Sequence, residues 1–489
     1  MHSGALKDIS KLLSGSLLAK AFGVASLILF TRLLTKQEMA AFPIFLMLAG
    51  LCDLILTFGI FSQVLRELPS LWREDQPGAR SLVVTSSAII LAGTTIPAVI
   101  AFVWCSPIAS FVFRDPTQGW VISLMAPGFI AYVISRIVDY IMWGRGQFGA
   151  TSILQILESI IRPVCTIALY FVMGYAGVVI GLIISQFVMA GLGFYYVRDL
   201  FLGPLPRIYP VRKLIIESLP YYIGNYLSYL RGDGDVLVVT SFLGPSKLAE
   251  YYVAKTLYVN VSLVLTALDK VAVERLARFV RTGEFVEKIK ELFAHISQIT
   301  VPFVLFTITI TPYAMTVLAG SRYSGVSWTA IVLLLGALVQ FVSIPVDRAV
   351  YLIVPGFVRV SYAVVESLAI MISAVALVPL AGLVGVAGAR VFAFTLTMLF
   401  GMFMLRRRSN LELSLFPAVS TLAAAVPGTL LVLLTFPSAH TTGQAFIWSA
   451  VAAAAWCSLF AAFTYIINRQ AFDNLIILAR EQYRTYFPA

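Results

Sequence analysis

Residues 31–42 read TRLLTKQEMAAF and residues 240–251 read TSFLGPSKLAEY. Each closes a long apolar segment and opens another, and the spacing of 208 or 209 residues recurs along the chain. GYAGV at Gly174 returns as GLVGV at Gly382, Asp139 returns as Asp347, Glu158 as Glu366, and Arg198 as Arg406. So little drift over so many residues implies a duplication in which each copy holds the same number of segments. In a membrane protein, two homologous bundles are the usual frame for alternating access.

Composition makes this a membrane protein. The chain of 489 residues is 60% hydrophobic and 12% charged, and its mean hydropathy is +0.91. Such a sequence cannot supply the half-polar surface of a water-soluble domain. Apolar stretches of about 20 residues, enough to cross roughly 30 Å of hydrocarbon, lie near 12–34, 43–62, 81–103, 117–139, 151–173 and 174–197. A second set lies near 216–242, 251–271, 295–318, 325–347, 360–380 and 382–404, and two further spans near 412–434 and 444–467. The expectation is an all-α polytopic fold of about fourteen spans. It divides into an N-terminal lobe over 1–200, a linker over 201–215, a C-terminal lobe over 216–408, two extra spans over 409–467 and an amphipathic tail over 468–489.

Lysine and arginine crowd every second loop: Arg66, Arg73 and Arg80; Arg136 and Arg145; Arg207, Arg212 and Lys213; Lys270 to Lys290; Arg406 and Arg407. The intervening loops hold little beyond Arg32, Lys36, Arg114, Lys247 and Arg322. By the positive-inside rule both termini are expected in the cytoplasm. The net charge of +11 is mostly this inner collar, which fits attraction to anionic membrane lipid better than nucleic-acid binding. Around 270–293, apolar residues alternate with cations as in helices lying at a membrane face, with Gly283 dividing them. The four cysteines show neither paired nor metal-ligand spacing. The first apolar segment exceeds the core of a cleavable signal and contains Lys20, so it is expected to remain as the first span.

Enzyme chemistry finds little support. The longest external loop, near 104–116, offers only Arg114 and Asp115 as charged groups, and the chain has no Walker motif, no metal-ligand cluster and no Ser/His/Asp arrangement. No cofactor is called for. Ionisable groups inside spans become functional candidates because they are costly there. Five are cationic: Lys20, Arg162, Arg231, Lys255 and Arg390. Ser16 and Lys20 form a polar stripe in the first span, and Asn225, Ser228, Arg231 and Asp235 form another in the seventh, where Tyr229 adds an aromatic face suited to a sugar ring. Asp53 is a further acid at depth. The alternative reading is structural: Glu158 with Arg162, and Arg231 with Asp235, stand four apart and could satisfy each other. The duplicated acids Asp139, Glu158, Asp347 and Glu366 are candidates for a cytoplasmic gate, against the plainer reading that each serves an arginine in its own lobe.

The opening to residue 42, and the run YLRGDGDVLVVTSFLGPSKLAEYYVAKTL over 229–257, resemble oligosaccharide flippases of the multidrug/oligosaccharidyl-lipid/polysaccharide superfamily, which include O-antigen and exopolysaccharide translocases. The resemblance spans about 30–405 in segment order, and the two extra spans fit the fourteen-span members. The chain departs from the family pattern at Ala41 and Glu250, where glycine is frequent. What the resemblance implies is a multi-pass protein of the bacterial inner membrane that moves a polyprenyl-diphosphate-linked oligosaccharide outward for lipopolysaccharide or exopolysaccharide assembly, beside other assembly proteins. It also implies that intramembrane cations line the path, here Lys20 and Arg231. Coupling to H⁺ or Na⁺ is left open. The alternatives are a multidrug antiporter of the same superfamily, whose cavity should be acidic, and a membrane glycosyltransferase or ligase.

Overall fold

The computed structural model describes residues 2–202, 208–279, 284–354, 356–409, 414–437, 439 and 441–467. Among these the regular structure is entirely helical. With no water in a bilayer core to take up backbone donors and acceptors, helices that close their own hydrogen bonds are the form such apolar runs can adopt. The helices are α1 (His2–Leu33), α2 (Lys36–Met39), α3 (Ala41–Leu56), α4 (Ile60–Glu74), α5 (Gln76–Val103), α6 (Cys105–Val112), α7 (Gly119–Gly144), α8 (Phe148–Met173) and α9 (Tyr175–Val197). After the linker come α10 (Val211–Leu243), α11 (Pro245–Phe279), α12 (Phe285–Ala319), α13 (Ser327–Ile353), α14 (Gly356–Ser409), α15 (Phe416–Thr435) and α16 (Thr442–Ile467).

Ten stretches among the described residues are long and apolar enough to cross a membrane. One of them runs through α14, where Gly382 (φ 54°, ψ −129°) breaks the helix into two spans. The remaining expected spans correspond to α1, α10 and α11, and α10 is made more polar by Arg231, Asp233 and Asp235. Gly382 has its duplicate in Gly174 (φ 60°, ψ −135°) between α8 and α9, a conformation open essentially to glycine alone. Three residues on, Gly177 and Gly385 each bring the next helix against a backbone carbonyl, Leu169 and Leu377 respectively, where a Cβ would not fit. The repeated motif thus encodes a repeated tight turn between paired spans.

Several boundaries differ from expectation. The span expected over 43–62 is two helices, because Phe58 (φ 48°) and Gly59 (φ 75°) are both left-handed and stop α3. Glycine is required at 59: a Cβ there would lie 2.6 Å from both the Ser218 carbonyl oxygen and the Tyr222 backbone nitrogen of α10. Of the cationic region expected over 270–293, residues 270–279 and 285–293 are the extended ends of α11 and α12 rather than separate surface helices. Gly283 lies outside the described residues, as does the expected amphipathic tail. The external loop near 104–116 contains the short helix α6. Arg136, read from sequence as a loop cation, sits inside α7.

The chain separates into two compact units, Met1–Ala249 and Glu250–Ala489. In the first, α1 packs on α8, α8 and α7 on α9, α5 on α7, and α4 on α5, α7 and α10. Its core near the α4–α5–α7 junction includes Ile60, Val64, Leu68, Leu82, Val138 and Met142. In the second, α13 packs on α12 and α14, and α15 and α16 pack on α12. Leu276, Val346 and Val350 in that core are the duplicates of Leu68, Val138 and Met142. Trp456 of α16 fixes the last pair, donating from Nε1 to Thr429 Oγ1 of α15 at 2.8 Å and meeting Phe306 of α12 edge to face.

Candidate functional site

The first unit gathers charge in its interior. Asp53 comes from α3, Tyr132, Arg136, Asp139 and Tyr140 from α7, and Glu158 and Arg162 from α8. Positions 132, 136, 139 and 140 lie three and four apart, so one face of α7 presents them together. The Arg136 guanidinium lies 5.3 Å from the Tyr140 ring centroid and donates to its hydroxyl at 3.4 Å. The charges of Asp53 and Asp139 act on Arg136, and Glu158 acts on Asp139. Arg162 donates to the Glu158 carboxylate one turn back in α8, so this pair is formed as the spacing suggested. Three carboxylates against two guanidiniums leave a net negative cluster if all are ionised. Among the described residues, Asp53 Oδ1 and the Nε atoms of Arg136 and Arg162 are buried without a hydrogen-bond partner.

The second unit repeats the acids but not their counter-groups. The duplicates of Arg136 and Arg162 are Ile344 and Ile370. Asp347 instead accepts from the Tyr362 hydroxyl and, at 3.0 Å, from Ser343 Oγ, with the charges of Glu366 and Arg348 acting on it. Tyr362 replaces Leu154 of the first copy. Three of the four gate candidates have partners within their own unit: Asp139 and Glu158 beside arginines, Asp347 among hydroxyls. Tyr132, Tyr140 and Tyr362 were absent from the sequence-based site, and for the first two the signal available was their spacing of four from Arg136 on α7.

The remaining cations fall into both units. Lys20 on α1, Arg162 on α8 and Arg231 on α10 belong to the first, Lys255 on α11 and Arg390 on α14 to the second. Lys20 and Arg162 are partly exposed, Arg231 is exposed, and Lys255 and Arg390 are buried. Arg390 stacks its guanidinium 5.3 Å from the Tyr258 ring, whose hydroxyl donates to Gln340 Oε1 at 2.9 Å. The side chain of Ser16 lies outside the described residues. On α10, Asn225 Nδ2 donates to Ser62 Oγ at 3.4 Å, and the Tyr229 hydroxyl donates to the Met47 carbonyl at 3.2 Å. Ser228 is exposed, whereas Asp235 is fully buried and accepts from the Val236 backbone N–H at 2.9 Å. Two members of the α10 stripe, Asn225 and Asp235, are thus already engaged within the first unit.

On the basic side of the chain, α4 and α10 share a polar network. Gln63, 1% exposed, donates from Nε2 to Glu67 Oε1 at 2.7 Å and to Glu217 Oε2 at 2.8 Å. Arg66 Nη1 donates to the Tyr221 hydroxyl at 3.0 Å. Tyr209 donates to Glu67 Oε2 at 2.8 Å, and its hydroxyl is pushed above the usual phenol range, chiefly by burial and then by that carboxylate. Among the described residues no group of three or more His, Cys, Asp or Glu side chains could hold a metal ion.

The family model described as "Polysaccharide biosynthesis protein" matches residues 29–328. No curated protein sequence matches the chain. Among solved structures, it is similar to the lipid II flippase MurJ in an inward closed conformation, at TM-score 0.74 and 15% identity, covering 94% of this chain and 98% of that one. An inward-facing multidrug resistance transporter of the MATE family within the MOP superfamily matches at TM-score 0.63 and 17% identity, covering 80% of this chain and 94% of that one. A MOP superfamily transporter from Pyrococcus furiosus matches at TM-score 0.55 and 16% identity, covering 82% and 95%. At these identities the likeness is one of fold.

Proposed function

Because the chain belongs to the polysaccharide biosynthesis protein family, we propose that it is a flippase carrying a polyprenyl-diphosphate-linked oligosaccharide from the cytoplasmic to the outer leaflet of a bacterial inner membrane. The observation that carries this reading is the coincidence of that family with a fold similar to a lipid flippase over nearly the whole chain. Cations within membrane helices support it: a diphosphate leaving water needs compensating charge, and Lys20, Arg162, Arg231, Lys255 and Arg390 are the side chains that could supply it. Two units that rock would carry the headgroup across while the lipid tail stays in the bilayer, and no covalent step is required. The net negative cluster around Asp53, Asp139 and Glu158 offers a place where H⁺ or Na⁺ coupling could act.

The test is export. Alanine at Lys20, Arg231 or Arg390 should abolish surface polysaccharide while protein level stays normal, and lysine at Arg231 should restore it in part, since a point charge lacks the bidentate fork. Normal export by all three alanine variants would sink the cationic path. The similarity to MATE transporters favours a second reading, exchange of organic cations for H⁺ or Na⁺. Drug susceptibility of a deletion strain, unchanged when the gene is restored, would dispose of it.

A further inference from the structure

The duplication and the packing draw different boundaries. By repeat, α10 is the first helix of the second copy. By packing, the first unit runs to Ala249 and includes all of α10. The attachments run along its length. At its start, Gln63 of α4 donates to Glu217, Arg66 donates to Tyr221, and Gly59 lets the broken end of α3 and α4 seat on the backbone at Ser218 and Tyr222. Along its middle, Asn225 donates to Ser62, and Tyr229 donates to the Met47 carbonyl with its ring filling the space above Gly50, 3.1 Å from where a Cβ would stand. Toward its end, Thr240 Oγ1 lies 3.6 Å from Met47 Sδ. At its last turn, Arg114 donates from Nη2 to the carbonyls of Ser241 at 3.1 Å and Phe242 at 2.5 Å.

Three of these attachments use uncommon means. Arg114 holds a left-handed backbone (φ 57°) while its guanidinium meets the negative end of the α10 dipole. Phe58 and Gly59 interrupt a membrane helix, and the interruption places glycine where only glycine allows contact with α10. Gln63, almost wholly buried, spends both amide hydrogens on two carboxylates, one of them on α10. Six donated bonds join α10 to the first unit, those of Gln63, Asn225 and Tyr229 partly buried, and parting the helix from the unit would break them together.

We infer that α10 moves with the first unit during transport, so that the joint between moving bodies lies where α10 ends and α11 begins and not in the linker after α9. Gly244 (φ 81°) stands at the start of that joint. Lys20, Arg162 and Arg231 then travel as one body, and the substrate-binding role proposed for Arg231 is exercised from the first unit. The inference takes from the proposed function only that the two units move.

Staples decide it. In a background with Cys52, Cys105, Cys165 and Cys457 replaced by serine, the pair Met47→Cys with Thr240→Cys ties α10 to the first unit, as a disulfide or through a short bifunctional thiol reagent. Spin labels at Phe102 and Leu380, both exposed and in different units, report motion by pulsed dipolar spectroscopy without any substrate. Unstapled protein should show more than one distance population across imposed membrane potentials, and stapled protein should keep all of them. A population lost on stapling and regained on reduction would assign α10 to the second unit and overturn the inference, as would a single population in the unstapled protein. Transport of a fluorescent undecaprenyl-diphosphate saccharide gives a second readout: unchanged by the staple as expected, or at least about tenfold slower and rescued by reductant if α10 must leave the first unit. Because the distance readout needs no lipid-linked sugar, failure of the inference is distinct from failure of the flippase reading.

Discussion

Replacing Gly59 with alanine should destabilise the first unit through two separable terms. The left-handed backbone (φ 75°) costs a non-glycine residue about 1–2 kcal/mol. The added methyl would also stand 2.6 Å from the Ser218 carbonyl oxygen and the Tyr222 nitrogen, both backbone atoms that cannot swing aside. Overpacking of that kind costs about 1–3 kcal/mol. Gly146→Ala isolates the first term, since Gly146 (φ 70°) has open space around its Cβ position. At roughly 2–4 °C per kcal/mol for a cooperative unit of 150–250 residues, a combined loss of about 3 kcal/mol lowers Tm by roughly 6–12 °C, against roughly 3–6 °C for the loss of about 1.5 kcal/mol in Gly146→Ala. Thermal unfolding in detergent, followed by loss of the monodisperse chromatographic peak, reads both. Equal shifts for the two variants would refute the claim that the break between α3 and α4 is packed directly on α10.

The Glu158–Arg162 pair separates structure from function. Arg162→Ala leaves a carboxylate without its partner and should lower Tm by an amount worth about 1 kcal/mol, the pair being partly exposed, at 26% and 39%. Glu158→Gln added to it should restore stability, and a double variant that is stable but cannot export would assign Arg162 to the substrate; one that exports normally would assign it to packing. Topology follows from the cation pattern: reporter fusions after Arg73, Lys213 and Arg407 should read cytoplasmic, and a fusion near Pro245 that reads cytoplasmic as well would defeat the arrangement. Outward movement of two negative charges runs with an inside-negative potential at about 2.3 kcal/mol per charge per 100 mV, or roughly 5 kcal/mol. A flipping rate indifferent to an imposed potassium-diffusion potential would mean that the diphosphate crosses neutralised.

The duplication was legible because its marks are glycines and charges, which helices cannot easily exchange: Gly174 and Gly382 recur as turns of one conformation. The break at Gly59 was not legible, since one glycine in an apolar run reads equally well as close packing, and what makes it a break is the approach of α10 from far along the chain. Arg136 was placed in a loop because apolarity falls off before α7 ends; the helix continues, and its last turns bury the guanidinium beside Tyr140. Asp347 could be found by repeat, but Tyr362 could not, because the residue that partners it replaces Leu154 of the first copy. The attachment of α10 to the first unit ran against the repeat itself, so no periodicity could have predicted it.

The central claim is that this chain moves a diphosphate-linked glycan across a bilayer, and the direct measurement is flipping in proteoliposomes. Purified protein would be reconstituted with undecaprenyl-diphosphate bearing a short fluorescent oligosaccharide, and a membrane-impermeant quencher added outside. The account predicts that the pool protected in protein-free vesicles becomes accessible when wild-type protein is present, and stays protected with Lys20→Ala or Arg231→Ala. Protection in wild-type vesicles equal to that in protein-free ones, for glycans of several compositions and at an imposed inside-negative potential, would contradict it.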